Sequence, residues 1–118
     1  IFKKIGKAAL KLHTARSRND QIVLDVKMYI KDEIDNLTEL IAQLQKAILK
    51  LAKQNSKVII PGYTHLQLAQ CVLLAHHLLA YLEGLERDKE RLTDSKSRLD
   101  SMPLGACAFS GTGLAIGL

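Results

Sequence analysis

The sequence predicts an all-α fold in which two long antiparallel helices are followed by a glycine-rich C-terminal loop. Its composition and two long apolar repeats predict this fold. Apolar residues make up 47% of the 118 residues, which is enough for a core, whereas aromatic residues are only 4% and tryptophan is absent. Leucine, alanine, lysine and glutamate are prominent, a mixture that favours helices over a β-sandwich.

The first long helix is predicted from about Asp20 to Gln54. Its apolar residues step by four and three positions without interruption, which is the heptad spacing of helices that pack on other helices. They are Ile30, Ile34, Leu37, Ile41, Leu44, Ile48 and Leu51. Leu40 and Ala47 widen this stripe beyond the seam of a two-stranded coiled coil, so we expect the helix to lie in a bundle.

Polar residues cluster where this helix begins. Ser17 is predicted to be its N-cap, because Asp20 follows three residues later in the S-x-x-D pattern of a capping box. Arg16, Arg18 and Asn19 surround the same helix N-terminus, where guanidinium, amide and free N–H groups suit a carboxylate or a phosphate. A solvated helix cap is the alternative interpretation, and these residues alone do not decide between the two.

A turn is predicted at Pro61-Gly62, since proline lacks an N–H and glycine reaches backbone angles that other residues avoid. A short extended run from Val58 to Ile60 precedes it. The second long helix is predicted to follow, from about His65 to Leu99. Glycines are concentrated after that helix and predict a loop; they are Gly105, Gly111, Gly113 and Gly117.

His65 is the most prominent titratable residue of the second region. Thr64 and Gln67 fit a second capping box, which places His65 in the first turn of the second helix. The positive end of the helix dipole there lowers the pKa of a histidine and keeps it near the range in which it both gives and takes a proton. His65 is therefore a candidate acid/base group, and a structural histidine beside a cap is the alternative.

Leucines recur at intervals of seven along the second helix, at Leu78, Leu85, Leu92 and Leu99. The alternate positions Lys89 and Lys96 are polar, so this seam is apolar in its first half and mixed in its second. A DNA-binding zipper would need a basic helix just upstream, but the preceding turns read AQCVLLAHHLL. The net charge of +5 comes from lysines interleaved with acidic residues. We therefore expect no nucleic-acid partner.

No metal ion, cofactor or membrane is expected. His76 and His77 are adjacent and so point about 100° apart on a helix, which rules out a chelating pair. The apolar run from Leu66 to Leu82 is interrupted by glutamines and histidines and is too short for a membrane span. Two cysteines without a C-x-x-C pattern are most simply reduced thiols of a cytoplasmic protein.

Two stretches of the chain together resemble a known family. HTARSRNDQ from His13 to Gln21 and PGYTHLQLAQ from Pro61 to Gln70 are similar to the first and second signature regions of the argininosuccinate lyase family, within the fumarase/aspartase superfamily. The resemblance covers nearly the whole chain. SRNDQ is the discriminating piece, because other members of the superfamily carry different residues there.

The resemblance implies a reversible β-elimination that cleaves argininosuccinate to arginine and fumarate. A base removes a proton next to a carboxylate, the carbanion is stabilised as an aci-acid, and an acid protonates the departing guanidino nitrogen. By resemblance, His65 is the catalytic histidine with an acid/base role, and His13 lies beside the substrate. The residues that bind and orient the carboxylate are Ser17, Arg18, Asn19 and Thr64.

The resemblance also implies that residues 1–118 are a single partial domain from the central helical bundle. Family enzymes are several-fold longer, form homotetramers and build each active site from three subunits. The natural N-terminal start, the C-terminal domain and a third signature loop of G-S-S-x-M-P-x-K type, which carries the second proton-transfer residue, are expected to lie outside this chain. We therefore expect little or no lyase activity from the isolated chain.

The chain departs from the family pattern at three places. Cys71 stands where proline is common, Leu68 replaces the arginine of R-A-Q, and Ala115 to Leu118 replace P-I-D-R. Two alternatives stay open. One is a non-catalytic helical relative used for packing, as the lens δ-crystallins are in this family. The other is a superfamily lyase that acts on a different amine-bearing substrate.

Overall fold

The computed structural model describes residues 1–116 and shows a mostly helical chain with a two-stranded sheet. Its elements are α1 (Phe2–Ile5), a 3₁₀ helix (Gly6–Lys11), α2 (Arg18–Gln54), β1 (Ile59–Thr64), β2 (Gln67–Leu73) and α3 (Leu74–Arg98). They form two compact units, one of residues 1–31 with residues 99–116, the other of Asp32–Arg98. No helix in this part of the chain is long and apolar enough to cross a membrane. Gly117 and Leu118 of the predicted loop and tail lie outside the described residues.

Helix α2 confirms the first predicted helix and its start. It runs for 37 residues, which is about 55 Å at the usual rise per residue. Ser17 caps it, because the N–H of Asp20 donates to Ser17 Oγ at 3.4 Å. At the other end, the side-chain amide of Asn55 donates to the carbonyl oxygen of Leu51 at 2.9 Å and satisfies one of the last helical carbonyls.

Within the unit Asp32–Arg98, the two sides of α2 differ in exposure. The sheltered residues recur at heptad spacing and are Ile34, Thr38, Ile41, Gln45, Ile48 and Ala52. Ile34 is 6% exposed and Ala52 is 3% exposed. Leu37, Leu44 and Leu51, which form the other half of the predicted seam, remain exposed. The predicted seam is thus only half covered within this chain.

Helix α3 meets the sheltered side of α2 through a heptad seam of its own. Its half-buried residues include Ala75, Leu78, Leu82, Leu85, Lys89, Leu92 and Lys96. Gln45 Nε2 donates to Glu86 Oε2 at 2.9 Å, and Lys96 Nζ donates to the two carboxylate oxygens of Asp35 at 2.5 and 2.6 Å. Glu86 on α3 contacts Gln45, whereas Lys96, ten residues later, contacts Asp35, which lies ten residues before Gln45. The two helices are therefore antiparallel, as predicted.

The predicted second helix is wrong over its first nine residues, from His65 to Leu73. That segment supplies the turn and the second strand of an antiparallel hairpin, and α3 begins only at Leu74. The all-α prediction is therefore corrected by a two-stranded sheet. The reason is that β1 offers a strand partner directly upstream, and main-chain pairing along both strands outweighs a helix propensity summed over so short a segment.

Gly62 lies at a bulge in this hairpin and not in the predicted turn. It is the one residue of β1 that faces two residues of β2, since the pairing register shifts between Pro61 and Tyr63. A Cβ at Gly62 would lie 2.5 Å from the carbonyl oxygen of Gln70. Glycine is therefore required here for the close approach of the two strands.

The chain leaves much apolar surface exposed. Large apolar side chains are exposed on both long helices and on the hairpin. On α2, Leu40 is 59% exposed, and on the hairpin Leu68 is 71% exposed. Exposed apolar area of this extent is typical of a surface that packs against further polypeptide.

Replacing Gly62 by alanine is expected to destabilise the hairpin, because the added methyl group overlaps the Gln70 carbonyl. Overpacking of this kind lowers the free energy of unfolding by about 1–3 kcal/mol, which urea unfolding followed by circular dichroism measures. The matched control is Gly84→Ala on α3, where the nearest atom to the added Cβ is Arg87 Nη2 at 3.9 Å. That variant is expected to gain about 0.5–1 kcal/mol, and equal effects from the two substitutions would contradict the bulge.

The charged contacts of the two units also predict the response to acid. The pKa of Glu86 is lowered, first by the hydrogen bond from Gln45 and then by Lys89. The pKa of Asp100 is lowered by the hydrogen bond and the charge of Lys31. A carboxyl group whose pKa is lower in the folded chain stabilises the fold above its unfolded pKa, and this contribution is lost as the pH falls through the folded pKa.

We therefore expect the free energy of unfolding to fall as the pH drops below the ordinary carboxyl pKa. The substitution Glu86→Gln is expected to flatten this acid dependence, because glutamine stays neutral at every pH. Urea unfolding at a series of acidic pH values measures the effect. Glu83→Gln is the control, since it removes a carboxylate from the same helix without touching Gln45 or Lys89, and an identical flattening in that variant would disprove the assignment.

Candidate functional site

The first group of candidate residues surrounds a cavity at the N-terminus of α2. The cavity has a volume of about 250 Å³. It lies within one unit, and its walls come from two segments of the chain: Thr14, Ala15, Arg16, Ser17 and Asp20 on one side, and Leu104, Gly105, Cys107 and Ile116 on the other. A few polar groups thus converge on a pocket that is otherwise apolar, which is the usual character of a small-molecule site.

Backbone hydrogen bonds hold the Ser17 side of the cavity in place. The N–H of Arg16 donates to the carbonyl oxygen of His13 at 3.2 Å and closes a turn. Ala15, inside this turn, has a φ of 53°, in the left-handed region that is uncommon for residues other than glycine. The N–H of Gln21 donates to the carbonyl oxygen of Ser17 at 3.2 Å as a bond of the first helical turn. Ser17 is therefore fixed at the helix cap and on the cavity wall.

The remaining candidates of this group stand around the cavity without lining it. Arg18 and Asn19 are the first two residues of α2, and both are exposed, as is His13. Arg16, in contrast, lines the cavity, although the sequence placed it only in the general cationic cluster. Its guanidinium group and the free N–H groups of the helix N-terminus make this end of α2 favourable for a carboxylate or a phosphate.

Cys107 is a cavity residue that sequence reasoning did not single out. Its side chain is buried and its φ is 59°, while the nearby Gly105 has a φ of 127°. The glycine content of this segment predicted a loop. Nothing in the identity of Cys107 indicated that it, and not a glycine, would occupy a left-handed position on the cavity wall.

The second group of candidate residues lies at the tip of the hairpin. Thr64 pairs with Gln67, and the two residues between them, His65 and Leu66, form the turn. Their φ angles are 49° and 64°, the positive values that a type I′ turn requires at both central positions. His65 is exposed, and Leu66 is 94% exposed. The imidazole is thus presented at the outermost point of the hairpin.

This geometry corrects the predicted setting of His65. Thr64 and Gln67 are a cross-strand pair and not a capping box, and α3 begins only at Leu74. The dipole of a helix N-terminus therefore does not act on His65. The sequence signal was ambiguous because threonine is favoured both at helix caps and in strands.

The turn holds His65 at a conformational cost. A left-handed backbone costs about 1–2 kcal/mol for each residue other than glycine, and type I′ turns strongly prefer Asn-Gly. Strain of this kind clusters at functional sites. An exposed imidazole on a tight two-residue turn is accessible to a ligand, which a proton-transfer group requires.

The candidate residues therefore fall into two groups. The group in the unit that contains Ile1–Lys31 comprises His13, Ser17, Arg18 and Asn19. The group in the unit Asp32–Arg98 comprises Thr64 and His65. The first group contains hydroxyl, guanidinium, amide and imidazole side chains, and the second contains a hydroxyl and an imidazole.

Comparison with known proteins supplies the context for both groups. Residues 2–117 match the model of a family described as lyase. The chain is 59% identical to the argininosuccinate lyase of Pelotomaculum thermopropionicum over 109 residues, which cover 92% of this chain and 24% of that protein. It is 57% identical to that of Desulforudis audaxviator over 112 residues, 95% of this chain and 24% of that protein. It is 55% identical to that of Moorella thermoacetica over 116 residues, 98% of this chain and 25% of that protein. The chain spans about a quarter of the length of these relatives.

Replacing His65-Leu66 by Asn-Gly is expected to stabilise the hairpin, because both new residues accept a positive φ with less strain. The gain in the free energy of unfolding is on the order of 1–2 kcal/mol, and urea unfolding of the double variant against the parent measures it. The control His76→Asn exchanges an exposed histidine on α3 and is expected to leave stability unchanged. A double variant less stable than the parent would show that the tip is not strained.

Proposed function

The chain belongs to the lyase family, whose model matches residues 2–117, and from this premise we propose that it is part of an argininosuccinate lyase. Such an enzyme cleaves argininosuccinate reversibly to arginine and fumarate. The observation that carries the proposal is the 59% identity to a protein of that name over 92% of this chain. Because the chain spans about a quarter of that relative, we propose that residues 1–118 are one partial domain of the enzyme.

The reaction needs a carboxylate clamp and groups that move two protons. Removing a proton from the carbon next to a carboxylate builds negative charge on that carboxylate, so positioned donors lower the barrier. Ser17, Arg18 and Asn19 are proposed as donors at the N-terminus of α2, where free N–H groups add to them. Thr64, next to the hairpin turn, is proposed to help orient the same carboxylate.

His65 is proposed as the acid/base group of the reaction. Its exposed position on a rigid turn supports this role, since a proton-transfer group must approach within hydrogen-bond reach of the substrate. Either it takes the proton from carbon or it gives one to the departing guanidino nitrogen. The second proton-transfer group is proposed to come from a loop outside residues 1–118. His13 is exposed, and its carbonyl oxygen accepts the hydrogen bond that closes the turn beside the cavity. It is proposed to lie beside the substrate.

The enzyme is further proposed to be a cytoplasmic homotetramer in which helices of several subunits form a central bundle. The half-covered seam of α2 supports this assembly, because Leu37, Leu44 and Leu51 are exposed at heptad spacing. Helices of other subunits would cover them and complete each active site. The two cysteines, Cys71 and Cys107, are free thiols in the structure, which suits a reducing compartment.

The test is fumarate release by the complete gene product, the polypeptide translated from the gene that contains this chain. With argininosuccinate as substrate, the ultraviolet absorbance of fumarate is expected to rise. His65→Asn is expected to lower kcat/KM by about 10²–10⁴, the usual contribution of a positioned acid or base. The control His76→Asn removes an exposed histidine on α3 and is expected to keep full activity.

Activity that survives His65→Asn would contradict the role of His65. A folded complete product that releases no fumarate would contradict the proposed reaction and would favour a non-catalytic helical relative. Release of fumarate by the isolated 118-residue chain itself would contradict the proposal that a further proton-transfer loop is needed.

A further inference from the structure

One face of α2 carries the chain segment that follows α3. Asp20, Leu24, Lys27 and Lys31 are spaced by four, three and four residues and so share this face. Asp20 lines the cavity at Ser17 together with residues 104, 105 and 107. The other three line a second cavity of about 250 Å³ together with residues 99–102. The segment from 99 to 107 therefore runs along this face toward the N-terminus of α2, within a single compact unit.

Two lysines on this face, Lys27 and Lys31, form hydrogen bonds with the start of that segment. Lys27 Nζ donates to the carbonyl oxygen of Ser101 at 3.0 Å and to Ser101 Oγ at 2.6 Å. One turn further along, Lys31 Nζ donates to Asp100 Oδ1 at 2.8 Å. The same contact lowers the pKa of Asp100. Main-chain and side-chain atoms of two consecutive residues are thus held by two ammonium groups one helical turn apart.

Few residues separate these lysine contacts from the residues that line the cavity at Ser17. Only Met102 and Pro103 lie between Ser101 and Leu104. Three residues span about 10 Å at most, and proline fixes its own φ. Leu104 and Gly105 line the cavity directly. A displacement of Ser101 along α2 is therefore transmitted to the cavity wall.

Stability alone does not account for these lysine contacts. Exposed ion pairs between lysine and aspartate contribute little to folding, because solvent screens them and ordering two long side chains costs entropy. The two contacts instead fix where the segment lies along α2. Without them, the segment could shift along the helix by one turn. Lys27 and Lys31 also lie outside the two signature stretches that the sequence singled out.

We propose that Lys27 and Lys31 are positioning residues for the lyase reaction, which fix Asp100 and Ser101 so that the following loop closes the cavity beside Ser17. The inference rests on the proposed function, because it takes this cavity as the place that binds the substrate carboxylate. The lysines touch the loop and not the substrate. Loss of the two lysines is therefore expected to raise KM more than it lowers kcat.

The experiment compares two sets of variants in the complete gene product. The double variant Lys27→Met, Lys31→Met removes these lysine contacts. The control Lys96→Met removes the ion pair to Asp35, which has the same chemistry and the same lysine exposure: the side chains of Lys31 and Lys96 are both 34% exposed. Lys31→Arg keeps the cation that faces Asp100.

With argininosuccinate as substrate, the double variant is expected to raise KM about tenfold and to change kcat by no more than about threefold, as for a lost binding contact. Lys96→Met and Lys31→Arg are expected to keep KM within about twofold. An unchanged KM in the double variant, or an equal rise in Lys96→Met, overturns the proposal.

Hydrogen exchange supplies a readout that does not depend on activity. The N–H of Gly111 donates to the carbonyl oxygen of Ala106 at 2.8 Å and reports on the loop. Exchange of peptides that cover residues 104–112 is expected to accelerate in the double variant and to stay unchanged in Lys96→Met. If the unmodified protein does not cleave argininosuccinate, the proposed function fails by itself. The exchange rates then test whether Lys27 and Lys31 position the loop. Acceleration in the double variant supports this positioning role, and unchanged rates overturn it.

Discussion

The contact of α2 with α3 organises the unit Asp32–Arg98. Polar pairs cross between the two helices and fix their register, among them Gln45 with Glu86 and Asp35 with Lys96. Because charged partners have to meet, a shift of one turn would leave them apart, whereas an all-leucine seam would tolerate it. The same packing leaves the opposite side of α2 bare. The apolar stripe of α2 is therefore covered on one side and exposed on the other within this unit.

Helical periodicity was sufficient to predict most of this fold. The heptad repeat of α2 predicted where this helix lies in the sequence. The leucine repeat of α3, with polar Lys89 and Lys96, predicted the side of α3 that is half-buried in the structure. The hairpin was missed because its signal is not local. Thr64 and Gln67 satisfy the spacing of a capping box and that of a cross-strand pair equally well, and only the presence of β1 decides between them. His-Leu at a type I′ turn is likewise against the preference of single residues.

The candidate site likewise combines features with a local sequence signal and contacts without one. Ser17 was predictable as a helix cap because a cap depends on four consecutive residues. His65 was predicted in a helix, whereas the structure has it in a hairpin turn. Contacts between distant parts of the chain carried no sequence signal. Lys31 and Asp100 are 69 residues apart, and no periodicity links them. Cys107 enters the cavity wall only because the segment after α3 returns to the start of α2.

Residues 1–118 are proposed to carry carboxylate-binding and proton-transfer groups of an argininosuccinate lyase. The most direct measurement is fumarate release by a chimera in which this chain replaces the matching quarter of the Moorella thermoacetica argininosuccinate lyase. We expect release at a rate comparable with that of the parent enzyme, and its loss on His65→Asn. A chimera that folds and assembles like the parent but releases no fumarate would contradict the proposed reaction.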